Sequence, residues 1–171
     1  SWQRNITNTR IELETDYSIS PDGRKIVYWS NPNNLDVIMV AYNDGSNAKI
    51  ITRGLSYDGN PVWSPVEDLI AFVSTRDGNH EIYLMSSTGG QMRRITHDDG
   101  VDNNPVWSTN GELIAFNSNR TGSKNIYLIN KNGGFLKNLS QSNGNDSNFS
   151  WSSDNTQIVY VSTRDGNNEI Y

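Results

Sequence analysis

The sequence predicts an all-β fold, a four-bladed β-propeller of 44-residue, four-stranded antiparallel blades. Two observations carry this. First, Trp63, Trp107 and Trp151 are 44 residues apart, and the same step back from Trp63 reaches Ile19. The next residue is Ser at all four places: Ser20, Ser64, Ser108 and Ser152. The register holds at Ile26, Ile70, Ile114 and Ile158, at Tyr28, Phe72, Phe116 and Tyr160, and at Ile38, Ile82, Ile126 and Ile170. A fixed period of this length indicates a repeat architecture. Second, no segment shows a sustained helical apolar period, while short runs of β-formers alternate with turn residues.

Each repeat reads as four short strands. In the second they fall at about 61–64, 69–75, 80–87 and 91–96. Leu69-Ile70-Ala71-Phe72-Val73 and Ile82-Tyr83-Leu84-Met85 are apolar and bounded by turns. Pro65 to Asp68 is a tight connection, and its counterpart Ser20-Pro21-Asp22-Gly23 is a strong turn signal, because Pro presets φ and Gly permits positive φ. Arg76-Asp77-Gly78-Asn79 makes a second turn, and Asn43-Asp44-Gly45, Thr88-Gly89-Gly90 and Asn132-Gly133-Gly134 make a third.

These residues resemble the TolB family of propellers, whose repeat runs close to W-S-P-D-G, I-A-F, S-x-R-D-G, I-Y, D-G and L-T. Here the pattern reads Trp63-Ser64-Pro65, Ile70-Ala71-Phe72, Ser74-Thr75-Arg76-Asp77-Gly78, Ile82-Tyr83, Gly89-Gly90 and Ile95-Thr96. Ile19 departs from the Trp, and Asn31-Pro32-Asn33-Asn34 replaces the Arg-Asp-Gly turn of the first repeat. The resemblance implies the fold far more strongly than any activity. Blades of this family occur in periplasmic scaffold proteins and beside the catalytic domains of prolyl oligopeptidase-like enzymes.

Three blades are complete, at 17–60, 61–104 and 105–148, and the fourth, 149–171, stops inside its third strand. Gln3-Arg4-Asn5-Ile6-Thr7 looks like the outer strand Met92-Arg93-Arg94-Ile95-Thr96. Joining it to the last strand completes the fourth blade with residues from about 1–16, the ring closure propellers commonly use. The expectation is one domain, 1–171, closed as a monomer. The alternatives are a piece of a larger propeller, or two chains closing head to tail as an eight-bladed ring.

The formal charge of −5, with no basic block, argues against nucleic-acid binding. No apolar run approaches the roughly 18 residues of a membrane helix. The absence of Cys excludes disulfides and thiolate metal sites. No nucleophile elbow, H-E-x-x-H or P-loop is present, so no enzyme activity and no catalytic residue is expected.

One rule sorts the remaining candidates: a residue present in every blade serves the blade, and a residue unique to one is available to a ligand. The repeated Trp and Tyr or Phe are packing. Arg76, Arg120 and Arg164 are expected to tie turns together through carboxylates or carbonyls. Glu14, Asp58, Asp102 and Asp146 also repeat, just before each innermost strand, and could ring a channel mouth. Four such carboxylates would repel unless each caps its own loop or all share an axial Ca²⁺ or Mg²⁺, the one cofactor in prospect. His80 and His97 have no partners at metal spacing. Trp29 is unique, its counterparts being Val73, Asn117 and Val161, and it precedes the variant turn with Pro32 and Leu35. It can anchor a partner or cover the core between blades.

The expected function is therefore a non-enzymatic interaction or scaffold module, periplasmic, cell-envelope or extracellular, that binds a protein partner. Alternation of strand direction puts the loops at 8–16, 54–60, 98–104 and 142–148 on one face with the turns at 31–36, 75–80, 119–124 and 163–168. That long-loop face is the expected docking surface, with Trp29, Pro32, Leu35, Tyr57 and His80 as partner-binding residues and the acidic set at the axis. The alternatives are a propeller that gates or supports a peptidase-like enzyme, or a carbohydrate-binding propeller.

Overall fold

The computed structural model describes residues 5–7 and 14–171. Blade 1 comprises β1 (Glu14–Ile19), β2 (Lys25–Ser30), β3 (Val37–Tyr42) and β4 (Lys49–Ile50). Blade 2 comprises β5 (Asp58–Trp63), β6 (Ile70–Ser74), β7 (Glu81–Met85) and β8 (Arg93–Arg94). Blade 3 holds β9 (Asp102–Trp107), β10 (Leu113–Thr121), β11 (Ser123–Asn130) and β12 (Lys137–Asn138), and blade 4 holds β13 (Asp146–Trp151), β14 (Ile158–Ser162) and β15 (Glu169–Ile170). Each blade is a separate antiparallel sheet with its strands in chain order. The only helical feature among the described residues is one 3-10 turn, Pro32–Asn34, in the variant loop. None of their helices is long and apolar enough to cross a membrane.

Local chemistry explains the repeated residues. The Ser after each Trp position closes the first hairpin: the Oγ of Ser20, Ser108 and Ser152 accepts the backbone N–H of Lys25, Leu113 and Gln157 at 2.9 Å. Gly23 adopts φ +69 in the Pro-Asp-Gly turn, a region open to glycine. The innermost strands begin earlier than the sequence suggests, since the ladder starts at Asp58↔Ser74 rather than near Pro61. Each then bulges at a residue with positive φ, namely Asp16, Asn60, Asn104 and Asn148. Asn and Asp tolerate this conformation, and the extra residue re-aims the remainder of the strand.

The outer strands are shorter than expected, two residues each. A side chain extends each ladder by one rung. Thr52 Oγ1, Thr96 Oγ1 and Ser140 Oγ accept the N–H of Ile38, Ile82 and Ile126 at 3.0, 2.8 and 3.0 Å.

The core lies between blades. Val27, Ile38 and Val40 of blade 1 pack on Trp63, Ile70, Phe72 and Met85 of blade 2. Ala71, Val73, Ile82 and Leu84 of blade 2 pack on Trp107, Ile114, Phe116 and Ile129 of blade 3. Ala115, Ile126 and Leu128 then meet Phe149 of blade 4. An indole N–H stitches two junctions: Trp107 Nε1 donates to Val62 O at 3.1 Å and Trp151 Nε1 to Val106 O at 3.3 Å.

The expected ring closure is not seen. Residues 3 and 4 of the proposed closing strand lie outside the described residues, 5–7 form no strand, and among the described residues β15 pairs with β14 alone. No apolar cluster among the described residues joins blade 4 to blade 1. Tyr17, Ile19, Val159 and Ile170 are 50–78% exposed instead. Ile6 lies against Gly45, as Ile51 lies against Gly89 and Ile95 against Gly133. It therefore occupies the outer-strand position of a blade preceding blade 1, the equivalence that its sequence suggests. A repeat period fixes what a blade contains; the angle between blades comes from junction packing, which the period does not encode.

Candidate functional site

Two neighbourhoods contain the candidate residues. The first is the repeated acid–arginine pair. Register alone positions it, because the first residue of each innermost strand faces the last Ser of the next strand: Glu14↔Ser30, Asp58↔Ser74, Asp102↔Ser118 and Asp146↔Ser162. In blades 2 to 4 an arginine folds back into this corner. The Nε of Arg76, Arg120 and Arg164 donates to the Ser Oγ at 2.9, 2.8 and 3.0 Å. Nη2 stands 2.9, 2.7 and 3.8 Å from Asp58, Asp102 and Asp146. Each guanidinium also covers two rings, Cζ lying 4.3–4.9 Å from the Tyr83, Tyr127 and Tyr171 centroids and 5.4–5.7 Å from those of Phe72, Phe116 and Tyr160.

The three aspartates are thus buried, at 0–1% exposure, and each faces its own blade's cation. They present no exposed charge to a partner. Among the described residues no three His, Asp or Glu side chains gather as a metal site. Burial pushes the Asp102 carboxyl up, against the lowering influence of Ser118 and Arg120. A further buried acid, Glu81, whose counterpart in blade 4 is the exposed Glu169, accepts from Arg94 Nη2 at 2.6 Å and the Asp98 N–H at 3.0 Å.

The second neighbourhood lies on the long-loop face between blades 1 and 2. Tyr57 stacks on His80 with centroids 5.4 Å apart and planes 10° apart. Its hydroxyl is pushed above the usual tyrosine range by burial first and then by the charges of Asp16 and Asp36. Asn31 Nδ2 holds Asp36 at 2.7 Å, and Asn60 Nδ2 holds Asp16 at 2.9 Å. Gly54 approaches Leu35 and Val37, which sets the 53–57 loop beside the variant turn. Leu35 is 45% exposed and Leu55 88%. Pro32 opens the 3-10 turn and is half-buried. Trp29 is half-buried on strand β2, on the same side as Val27, which packs against blade 2; its Nε1 is buried without a hydrogen-bond partner. His97 is exposed elsewhere.

Leu35, Tyr57 and His80 thus come together, while the buried aspartates serve their own blades. Sequence reasoning missed Asp16, Asp36 and Leu55. Asp16 sits where the other blades have Asn, and Leu55 where blade 3 has Asp99, so comparing repeats position by position contained the signal.

Residues 100–171 match the family model described as the TolB beta propeller domain. A putative TolB from Agrobacterium tumefaciens superposes with a TM-score of 0.76 at 29% identity, over 86% of this chain and 53% of that one. TolB from Acinetobacter baumannii superposes with a TM-score of 0.80 at 27% identity, over 93% of this chain and 40% of that one. An oligogalacturonate lyase in complex with manganese, at 14% identity and a TM-score of 0.68, shares the fold. No curated protein matches by sequence. The chain is an all-β assembly of TolB-like propeller blades. It spans about half or less of the two TolB chains it resembles.

Proposed function

We propose that this chain is a non-enzymatic interaction module of the secreted or cell-envelope type, which docks a protein partner on its long-loop face. The observation that carries this is the patch at the blade 1–2 edge. Leu35 and Leu55 are exposed on a framework fixed by strand ends, beside the stacked Tyr57 and His80. Asp16 and Asp36 rim it, so the partner's complementary surface is apolar at its centre and basic at its edge. An envelope location follows the TolB likeness of the repeats.

The test is affinity capture from envelope and secreted fractions. The wild-type chain retains a stoichiometric protein, and Leu55→Asp or Leu35→Asp loses it while keeping the far-UV circular dichroism spectrum. A retained partner that instead protects the turns at 21–23, 65–68 and 109–111 from exchange refutes this choice of face.

A further inference from the structure

One hydrogen bond recurs at the entry to blades 2, 3 and 4, and blade 3 makes it with a larger group than the bond requires. The N–H of Tyr57, Val101 and Asn145 is accepted by Thr75 Oγ1, Asn119 Oδ1 and Thr163 Oγ1 at 3.2, 2.7 and 2.9 Å. A threonine hydroxyl suffices in two blades, so Asn119 brings a surplus Nδ2. A backbone N–H only donates, so the amide oxygen is the atom that faces Val101. Among the described residues Nδ2 has no partner, and its orientation is set by the pinned oxygen. Asn145 repeats the arrangement: its Oδ1 accepts the Lys124 N–H at 3.1 Å and its Nδ2 is left over. Both amides line one cavity of 240 Å³ on the long-loop face, where blades 3 and 4 meet, with Val101, Asn103, Gly122 and Lys124. Among the described residues no carboxylate pairs with Lys124, and none lines the cavity. In blade 1 the residue equivalent to Asn119 is Asn31, and its Nδ2 donates to Asp36 at 2.7 Å. The blade 3 equivalent of Asp36 is Lys124. The acceptor that blade 1 supplies is thus exchanged in blade 3 for a further donor.

We propose that this cavity receives a carboxylate, the side chain of an aspartate or glutamate carried by the protein partner. This rests on the reading of the chain as an interaction module. Two acceptor oxygens suit two pinned NH₂ groups and an ammonium, and hydrogen bonds to an ionised acceptor are the strong kind. Amides held in place beforehand spare the complex much of the ordering that mobile surface side chains would need. An acidic side chain enters with no N–H of its own. A chain terminus would bring a peptide N–H among lining side chains that leave only the Asn103 oxygen unengaged. Val101, 38% exposed, gives the methylene stem an apolar wall. At the blade 1–2 end of the same face Asp16 and Asp36 favour basic groups. The two ends prefer opposite charges, so a partner carrying both docks in one orientation.

The probe is the peptide acetyl-Gly-Glu-Gly-amide, compared with acetyl-Gly-Gln-Gly-amide and with acetyl-Gly-Gly-Gly bearing a free carboxyl terminus. Each is titrated into the full chain at low salt and followed by amide chemical shifts. The expected result is saturable shifts centred on 101–103, 119–124 and 145, with the glutamate peptide bound about tenfold tighter than the glutamine peptide and tighter than the free terminus. Lys124→Met abolishes the preference. Asn119→Thr installs the residue of blades 2 and 4, so it keeps the bond to the Val101 N–H and the wild-type thermal midpoint while cutting the preference about threefold or more. Equal binding of the glutamate and glutamine peptides overturns the proposal, as does a preference that both variants retain, or tighter binding of the free terminus. A captured partner that Lys124→Met and Asn119→Thr hold with wild-type affinity sinks this inference and leaves the proposed function standing. A Lys124-dependent preference for glutamate with no captured partner does the reverse.

Discussion

Replacing Trp107 by Ala tests the junction packing directly. The indole is 5% exposed and lies in the cluster that joins Ala71, Val73, Ile82 and Leu84 to Ile114 and Phe116. Truncating so large a buried ring costs about 3–5 kcal/mol, because the rigid strands on both sides cannot collapse into the space. The change also removes the donor to Val62 O, leaving that carbonyl short of a partner for about 1 kcal/mol more. At roughly 2–4 °C per kcal/mol for a chain of this size, the midpoint falls by about 8–24 °C. Trp151 provides an internal control. It holds the same repeat position and makes the same kind of bond to Val106 O, but it is only half-buried, so its truncation costs about half as much. Far-UV circular dichroism in a urea series reads both without depending on the lost fluorophore. A loss under about 1 kcal/mol for Trp107→Ala, or an equal loss for both variants, refutes the account of the junction.

Three further outcomes are expected. Arg120→Met strands Asp102, which is fully buried, and costs about 3–5 kcal/mol by urea denaturation, whereas Lys131→Met, breaking exposed contacts to Glu67 and Glu112, costs under about 1 kcal/mol. Because burial raises the Asp102 carboxyl in the folded state, the native chain takes up that proton at a higher pH than the unfolded chain does. Its contribution is therefore fullest in acid and is lost as pH rises through the folded value; the wild type should gain on Asp102→Asn as pH falls from about 7 toward 4, and the opposite trend in urea midpoints would disprove it. Gly89→Ala should cost about 1–3 kcal/mol, and more than Gly133→Ala, because both have positive φ but only at Gly89 does a new Cβ meet the Ile51 carbonyl head-on.

Some of this was open to a reader of the sequence and some was not. The blades were, because Trp63, Trp107, Ser64, Ser108 and their counterparts recur without slippage and each has a local task within its own repeat. The pairing of Arg76 with Asp58 was visible only as two repeated positions; identifying it required the strand register that sets Asp58 opposite Ser74. For the same reason a ring of four acids looked plausible along the chain, while each aspartate is turned into its own blade. The patch at Leu35 and Leu55 depends on which loops approach one another across a junction, a distance the repeat does not carry. Trp29 was undecided from its uniqueness alone, and its side of β2 faces blade 2.

The two-residue outer strands bear on how the molecule behaves at high concentration. The rim of a propeller is where one sheet could add to another, and long bare rims are templates for fibrous growth. Here β4, β8 and β12 offer very little ladder, and their sequences, Lys49-Ile50, Arg93-Arg94 and Lys137-Asn138, place charge on it. The inward hydroxyls of Thr52, Thr96 and Ser140 satisfy the next amide from within, so a longer rim strand is not required to do it. Brevity at the rim thus keeps neighbouring molecules from recruiting one another. Exchanging Thr96 for Val would release the Ile82 amide and raise light scattering on storage well before it lowered the thermal midpoint.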